Sequence, residues 1–397
     1  AGGGPWQRWN GVIRDHVVSS QVRGAGCDRG SWSPDTDVYG LEGGRIYTTA
    51  LAVLTLEVYY RFQRVADETT GPPADAPAKP LGAPRKRRGA AEEPKLAVVA
   101  DTPERLYAAR SKPKTAEWLA ERGGTVESQQ AVEDGLNWLA RHQGNDGHWG
   151  ADCLGALLGT DPSSRCNKNN PCDGTGQPYE IAKTGLALLA FQAAGHYYFN
   201  GQKYSGQVAK GLDYFVQEQA SDGSIVGSQN PAPEQIKLGE KFDQSFMYEH
   251  AIGTFALCEA CAVAVAEGQQ PDPRYQTAAQ RAVSFIENVQ HDDGGWRYSV
   301  DAREQSDCSV SGWVMLALKT AGEAKVDVST KTISRMMDFF AAHYVDGRTY
   351  YMRPQKKGAG NEQTVGSGDA PAYGSGTNFK TTDAMTSVGM MAVEFFE

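Results

Sequence analysis

The sequence predicts an all-α protein in which helical hairpins stand side by side and close into a ring, an α/α toroid. Two observations lead to this prediction. An amphipathic helix that ends in a glycine-rich turn occurs several times along the chain, and each copy is followed, after a loop, by a helix that is apolar on all faces. A helix that is apolar all round must be surrounded by other helices. Alternating helices of these two kinds bury their apolar surface only if the array curves or closes.

The repeating unit is clearest at Arg281–Trp296, RAVSFIENVQHDDGGW. Its apolar residues fall on one helical stripe, and the Asp-Asp-Gly-Gly that follows favours a helix end and a turn. The arrangement recurs at Gly135–Trp149 and, with isoleucine in place of the last tryptophan, at Lys210–Ile225. Each copy carries a glutamine after its helix: Gln143, Gln219 and Gln290. Their spacings of 76 and 71 residues suit a helical hairpin with a long loop.

The fully apolar helices follow these units. The sequence predicts five of them: Thr48–Tyr60, Thr184–Ala194, His250–Ala266, Ser311–Ala321 and Met385–Phe396. A further amphipathic helix is predicted at Arg335–Tyr344, with Tyr344 where the other units have glutamine. Inner helices of this kind begin at a common mouth, so the residues at their N-termini are expected to line one site.

Composition divides the chain into three parts. Residues 1–65 hold two helices with a weak copy of the repeat that ends at Trp32. Residues 66–112 are rich in Pro, Ala, Gly and charge, including the run Arg85–Arg88, and are predicted to be a linker. Residues 113–397 are predicted to form the toroid domain, incomplete at its C-terminal end because Glu397 falls inside an apolar helix.

Charge and hydropathy narrow the range of partners. The 397 residues are 40% hydrophobic and 22% charged, with a formal net charge of −9, which argues against a nucleic-acid-binding face. The longest apolar run noted, Thr48–Tyr60, carries Glu57 and is too short for a membrane span, so no transmembrane segment is predicted. The chain begins with Ala1 and not with methionine, so the compartment is left open.

The seven cysteines do not suggest a disulfide scaffold. Cys258, Cys261 and Cys308 lie in apolar helical surroundings and are predicted to be core residues. Cys166 and Cys172 share a loop rich in Asn and Asp, which could hold a disulfide, a cation or neither. The histidines other than His250 are scattered over helix ends and turns, where surface or capping roles are expected.

Three stretches carry a family resemblance: FMYEHAIGTFALCEA, GGWRY followed by DCSVSGWVMLALK, and WNGVIRDHVVSSQ followed by GGRIYTTALAVLTLEVYYRF. They resemble the QW repeats of the squalene–hopene cyclase and protein prenyltransferase superfamily, and in particular bacterial squalene-cyclase-like proteins of unassigned activity. The resemblance implies an α/α toroid. In such proteins the part similar to residues 1–65 closes the ring, whereas here it comes first, which predicts either a circular permutation or a piece of a tandem protein.

The resemblance also implies two catalytic patterns, and the sequence lacks both. Class II cyclases carry an acidic D-x-D-D motif, but neither Ile46–Ala50 nor Ala182–Gly185 contains the acids, and Asp35–Asp37 is interpreted as a solvated turn. Prenyltransferases hold zinc through Asp, Cys and His; Asp307 matches the first ligand, whereas Ser309 and Met385 stand at the other two. Cys308 is one position early, and therefore about 100° away around a helix. No cofactor is expected, and zinc is disfavoured.

A polar set nevertheless falls at the predicted mouth. The candidate catalytic residues are Glu249, His250, Asp307 and Asp383. The candidate ligand-binding residues are Tyr47, Lys183, Tyr248, Ser309 and Trp313. A histidine beside a carboxylate can serve as acid or base near neutral pH. The alternative interpretation is that these side chains are helix caps and ion pairs, since Asp307 and Asp383 stand where N-caps are preferred.

Two functions are compatible with this pattern. The first is a squalene-cyclase-like or prenyltransferase-like protein that binds an isoprenoid or another apolar molecule in the central cavity. The second is a non-catalytic toroid that acts as a protein-interaction scaffold, as related toroids of complement-type proteins do. A cavity lined by aromatic side chains would favour the first function, and an interior filled with bulky side chains would favour the second.

Overall fold

A computed structural model describes residues 4–37, 39–58, 107–150, 177, 179–227, 246–298, 300, 305–345 and 348–349. The α-helices of this part are α1 (Gly4–Ser20), α2 (Gly40–Leu56), α3 (Ala116–Arg122), α4 (Val126–Arg141), α5 (Glu180–Ala193), α6 (Ser205–Gln217), α7 (Phe246–Ala266), α8 (Pro273–Asn288), α9 (Cys308–Glu323) and α10 (Thr330–His343). A 3₁₀ turn at Pro34–Thr36 and a short antiparallel pair, β1 (Tyr344–Val345) and β2 (Arg348–Thr349), complete it. The all-α prediction is confirmed.

The helices form two rows. In the inner row α2, α5, α7 and α9 contact one another in that order, and α4, α6, α8 and α10 pack behind them, with α1 against α2 and α4. One hydrophobic core runs through both rows. Helices α1 and α2 therefore pack directly beside the helices that follow the predicted linker. Closure of the rows into a ring stays a prediction, and the predicted inner helix Met385–Phe396 lies outside the described residues.

The inner helices begin earlier than their apolar patterns predict. Gly44 has the non-helical angles φ 77° and ψ −178°, so regular helix in α2 starts at Arg45. The predicted Thr184–Ala194 and Ser311–Ala321 each gain roughly a turn at the N-terminus. That first turn holds the polar residues at the helix start, which an apolar pattern does not mark.

The longest inner helix changes one sequence expectation. Thr48–Tyr60 was expected to be the longest apolar candidate, but α7 has 21 residues and is apolar enough to cross a membrane by length and composition. Within the protein, 89% of its most apolar window is buried by neighbouring helices. Its acidic and imidazole side chains interrupt the apolar run in the sequence, although they too are buried. The helix therefore fits a core position.

The glutamine of each repeat joins two neighbouring repeats. Its side-chain amide donates one hydrogen bond to the glycine carbonyl of its own turn and another to a carbonyl in the next outer helix, at 2.8–3.0 Å. The donors are Gln21, Gln143, Gln219 and Gln290, and the carbonyls in the next helix belong to Ala131, Gln207, Ala278 and Thr332. The outer row thus runs from α1 through α4, α6 and α8 to α10.

The turn glycine and the terminal tryptophan explain the rest of the repeat. Gly147 has φ +106°, and a Cβ placed on it would lie 2.2 Å from the carbonyl oxygen of Lys210 in α6. Only glycine permits both this conformation and this approach. The indole N–H of Trp149 donates to the carbonyl of Leu139 at 2.8 Å, which satisfies a carbonyl near the end of α4. Trp32 and Trp296 make the same bond in their repeats.

The end of the predicted linker belongs to the folded array. Tyr107 and Arg110, inside the range 66–112, are buried, and Arg110 Nη1 lies 2.6 Å from Glu259 Oε1 in α7. Tyr107 donates to Glu323 Oε2 in α9 at 2.7 Å. Tyr107 and Arg110 therefore pack with the helical array, because these two long polar side chains have buried partners on α7 and α9.

The described cysteines fall into two groups. Cys258, Cys261 and Cys308 are free thiols buried in the helical core, as predicted. Burial raises the pKa of the Cys261 thiol to about 12, so it stays protonated at neutral pH. Cys27 is disulfide-bonded, with its sulfur 3.3 Å from Nε2 of His142. Disulfides are typical of proteins of oxidising compartments. The loop cysteines Cys166 and Cys172 lie outside the described residues.

Candidate functional site

The same hydrogen bond recurs in each repeat and fixes the register of the four inner helices. The backbone N–H of the last residue of each repeat motif donates to a side chain of the following inner helix, at 2.9–3.2 Å. The donors are Trp32, Trp149, Ile225 and Trp296, and the acceptors are Thr49, Thr184, His250 and Ser311. These four acceptors are therefore equivalent positions, and they face the outer row.

This register defines the opposite side of the inner row. Two residues along a helix is a rotation of about 200°, so the positions two before and two after each acceptor point away from the outer row. We call that side the inward face and its first layer the mouth ring. The mouth ring consists of Tyr47, Ala182, Tyr248 and Ser309. The second layer consists of Leu51, Leu186, Ile252 and Trp313, and the third of Leu54, Leu189, Phe255 and Leu316.

The inward face is polar at its mouth and apolar below. The mouth-ring residues are half-buried, whereas Leu186, Ile252, Leu189 and Phe255 in the deeper layers are buried. Four of the five predicted ligand-binding residues, Tyr47, Tyr248, Ser309 and Trp313, thus lie on this one face. The face thus presents hydroxyl groups at its mouth and aliphatic and aromatic side chains below them.

A chain of three side chains links α7 to α9 at the mouth. Asp307 caps α9: its Oδ1 accepts the backbone N–H groups of Ser309 and Val310 at 2.9 Å each. The same oxygen accepts the Ser309 hydroxyl at 2.8 Å, and Ser309 Oγ forms a short hydrogen bond with the hydroxyl of Tyr248. The predicted residues Asp307, Ser309 and Tyr248 are therefore in direct contact, and Asp307 is buried.

Glu249 and Lys183 occupy equivalent positions, one residue after the mouth ring, and both are buried. Oε2 of Glu249 accepts the N–H of Ile181 at 3.1 Å and so caps the first turn of α5 from the neighbouring helix. Lys183 Nζ donates to the carbonyl of Gln177 at 2.6 Å. Each side chain holds the start of an inner helix, as the capping interpretation expects.

His250 takes the place that threonine or serine has in the other repeats. Its Nδ1 accepts the N–H of Ile225 at 3.0 Å, and Nε2 faces the carbonyl of Ala282 in α8 at 3.2 Å. This pattern requires a neutral ring with its hydrogen on Nε2. Complete burial lowers the pKa of His250 to about 4. The imidazole of His250 faces the outer row, and so it points away from the mouth ring and from Glu249.

His250 should make stability depend on pH. Its folded-state pKa of about 4 lies below the unfolded value of about 6.5, so between these values the unfolded chain binds a proton that the folded chain does not. The free energy of unfolding should therefore fall as pH falls below about 6.5, by about 2 kcal/mol for this group at about pH 5. Urea titrations at about pH 7.5 and about pH 5 measure the loss.

Two variants isolate the contribution of His250. In His250→Asn the amide oxygen can accept the Ile225 N–H but does not titrate, so the loss between the two pH values should be smaller than in the wild type by about 2 kcal/mol. His16→Asn removes an exposed imidazole and serves as the matched control. An equal loss in wild type and His250→Asn would show that His250 is not the buried neutral group described above.

Other predicted positions have simpler outcomes. Asp383 lies outside the described residues. Asp35 and Asp37 are exposed in and after the 3₁₀ turn, in agreement with a solvated turn. Within the described part of the chain, no three His, Cys, Asp or Glu side chains come close enough to hold a metal ion.

His142 and His343 are buried and bond the carbonyls of Trp138 and Phe339 within their own helices, which corrects the expectation of surface positions but not that of capping.

Sequence reasoning missed Ala182 and Phe255 on the inward face. Ala182 is the small member of the mouth ring, and Phe255 supplies the aromatic ring of the third layer on α7. The signal was present in the repeat, because counting from the terminal residue's hydrogen-bond acceptor gives the register of every inner helix. That acceptor is histidine in one repeat, which hides its equivalence to Thr49, Thr184 and Ser311.

Comparison with known proteins gives one partial similarity. No protein-family profile matches the chain. Squalene–hopene cyclase from Zymomonas mobilis is 28% identical over 133 residues, which cover 31% of this chain and 17% of the cyclase. The similar part thus spans less than a fifth of that relative. This partial match points to the cyclase-like superfamily that the sequence motifs resemble.

Proposed function

We propose that this chain is a squalene-cyclase-like repeat protein that binds an apolar ligand, such as an isoprenoid, along the inward face of its inner helices. The observation that carries the proposal is the inward face itself, with hydroxyl groups in the mouth ring and aliphatic and aromatic side chains in the two layers below. Burial of apolar ligand surface there would supply roughly 25 cal/mol per Å².

The proposal assigns binding and not chemistry to the described residues. Asp307 and Glu249 accept backbone N–H groups at helix starts, and His250 uses both ring nitrogens for backbone groups. A general acid or base needs an exchangeable proton within reach of the ligand. These three residues therefore serve the architecture in our proposal, and Tyr47, Tyr248, Ser309 and Trp313 contact the ligand.

The test is whether squalene and farnesol bind saturably. Binding is measured by the quenching of tryptophan fluorescence and by mass spectrometry of the extracted ligand. Ala182→Trp would place a large ring in the mouth ring, and we expect it to weaken binding at least about tenfold, because the ring occupies the ligand's volume. Ala120→Trp makes the same substitution at an exposed position of α3 and is the matched control. Equal binding by both variants would contradict a ligand site on this face.

The scaffold function remains the alternative. The observation in its favour is the structural use of every described candidate acid and base, which leaves the fold without an identified catalytic group. It predicts that neither squalene nor farnesol binds saturably, and that substitutions on the outer row affect partner binding while Ala182→Trp does not. The same binding experiment therefore decides between the two functions.

A further inference from the structure

The direction of each hydrogen bond at the mouth ring can be assigned. Oδ1 of Asp307 accepts two backbone N–H groups, so it acts as an acceptor toward Ser309 as well. A hydroxyl has one hydrogen to donate. Ser309 donates its hydroxyl hydrogen to Asp307 at 2.8 Å, so the hydroxyl oxygen of Ser309 can only accept from Tyr248. Tyr248 is therefore the donor of the short bond between Tyr248 and Ser309.

This order leaves Tyr248 with an acceptor and no hydrogen to offer. Its phenol oxygen keeps a lone pair, and within the described part of the chain Ser309 is the group that hydrogen-bonds to it. Tyr248 is half-buried in the mouth ring, with the ring of Tyr298 centred 5.8 Å away and Trp313 one turn below Ser309. A half-buried acceptor at the rim of an apolar surface favours a ligand group that donates.

The charges around the mouth disfavour an anionic ligand. Burial, and then the negative charge of Asp307, raise the pKa of Tyr248. Burial, followed by Asp37 and Glu42, raises the pKa of Tyr47. Both phenols therefore stay protonated at neutral pH in a field set by carboxylates. Three cations stand near the mouth, and each has a partner within the protein: Lys183 donates to Gln177, Arg45 donates to Ser31 at 3.0 Å, and Arg297, which lies over the ring of Tyr298, donates to the carbonyl of Gln305 at 2.9 Å.

We infer that the ligand is an apolar chain or ring system that ends in a hydrogen-bond donor, a hydroxyl or an amine, and that this donor binds the phenol oxygen of Tyr248. The inference rests on the proposed function, since it specifies the polar end of the molecule that the inward face takes up. It disfavours prenyl diphosphates, because their negative charge would lie near the carboxylates of Asp307, Asp37 and Glu42.

Four probes with one hydrocarbon chain test the inference: farnesol, farnesylamine, farnesyl methyl ether and farnesyl diphosphate. The ether keeps the oxygen of the alcohol and carries a methyl group in place of the hydroxyl hydrogen, so it can accept a hydrogen bond but not donate one. In the wild type we expect farnesol and farnesylamine to bind about three- to tenfold more tightly than the ether, the range of one net hydrogen bond, and the diphosphate to bind most weakly. Titration of tryptophan fluorescence gives the four dissociation constants.

Two variants reverse or remove the preference. Tyr248→Phe keeps the ring and removes the acceptor, so the ratio of ether to alcohol dissociation constants should fall to about one. Ser309→Ala releases the Tyr248 hydrogen, which can then be donated to an ether oxygen, so the ether should bind more tightly than it does to the wild type. Melting curves establish that both variants fold. The ratio of ether to alcohol dissociation constants in the wild type tests the inference without any variant.

The outcomes distinguish a failure of this inference from a failure of the proposed function on which it rests. If alcohol and ether bind the wild type equally, or the diphosphate binds most tightly, the donor inference is overturned while an apolar ligand site stands. A preference for the alcohol that survives in Tyr248→Phe also overturns it. If none of the four probes binds saturably, the proposed function fails and the inference fails with it.

Discussion

Replacing Trp149 with alanine should lower the free energy of unfolding by about 3–5 kcal/mol, the range for removing a fully buried tryptophan. Its side chain is completely buried, stacks obliquely on Phe191 with ring centroids 5.9 Å apart, and donates to the Leu139 carbonyl. Gly211 of the next outer helix approaches the indole so closely that an added Cβ would lie 3.0 Å from it. The loss would therefore open a cavity between two repeats.

Urea titration of three variants separates the terms of this loss. Trp149→Phe retains much of the ring volume but not the indole N–H, so it should cost less than Trp149→Ala and report mainly the hydrogen bond, about 1 kcal/mol, and a smaller void. Trp9→Ala is the control, because Trp9 is 45% exposed in α1. A loss in Trp149→Ala no larger than in Trp9→Ala would contradict the interlocking of repeats described here.

Breaking the Arg110–Glu259 pair is expected to have a comparable effect. Both side chains are almost fully buried, at 4% and 3% exposure, and Arg110 also lies over the ring of Tyr107, 4.4 Å from its centroid. Arg110→Met leaves a buried carboxylate without its cation, which costs about 3–5 kcal/mol in other proteins. The measurement is the free energy of unfolding. A parallel increase in proteolytic cleavage of the preceding linker would show that residues 107–112 detach.

A double variant distinguishes an unpaired charge from lost packing. Arg110→Met with Glu259→Leu removes both charges, so it should be more stable than Arg110→Met alone. Arg274 and Asp213 form an ion pair 2.9 Å apart at the surface, and Arg274→Met should change stability little because solvent screens that pair. A double variant that loses as much as the sum of both single variants would argue against a direct buried interaction.

Much of the architecture could be predicted from the repeat alone. The glutamine, the glycine and the terminal aromatic recur because each performs a backbone task that few residues can perform: a double amide donor, a positive φ, and an indole donor. A charged residue followed by a small one also recurs in the outer helix of each unit, at Asp134–Gly135, Lys210–Gly211 and Arg281–Ala282. Their purpose is visible only between repeats, where the Lys210 carbonyl meets Gly147 and Gly211 meets Trp149.

The candidate site was predicted less completely. Tyr47, Tyr248, Ser309 and Trp313 were predicted together because they stand near the starts of inner helices, and their shared role in binding stays a prediction. The adjacent Glu249–His250 pair suggested acid–base chemistry, yet neighbouring residues on a helix point about 100° apart. In the fold Glu249 caps α5 and His250 bonds Ile225, so the two side chains serve different neighbours. Adjacency in sequence was a poor guide to a shared site.

The sequence by itself determined the helices, their alternation and the repeat, because helix periodicity, glycine turns and capping are local properties of a few neighbouring residues. Tertiary structure decided which side of each inner helix faces inward and what every buried polar group does. The reason is that a buried group is defined by its partner, and partners such as Ile225 for His250 or Tyr248 for Ser309 come from other helices. The direction of the hydrogen at Tyr248, and with it the ligand chemistry inferred above, exists only in that assembled arrangement.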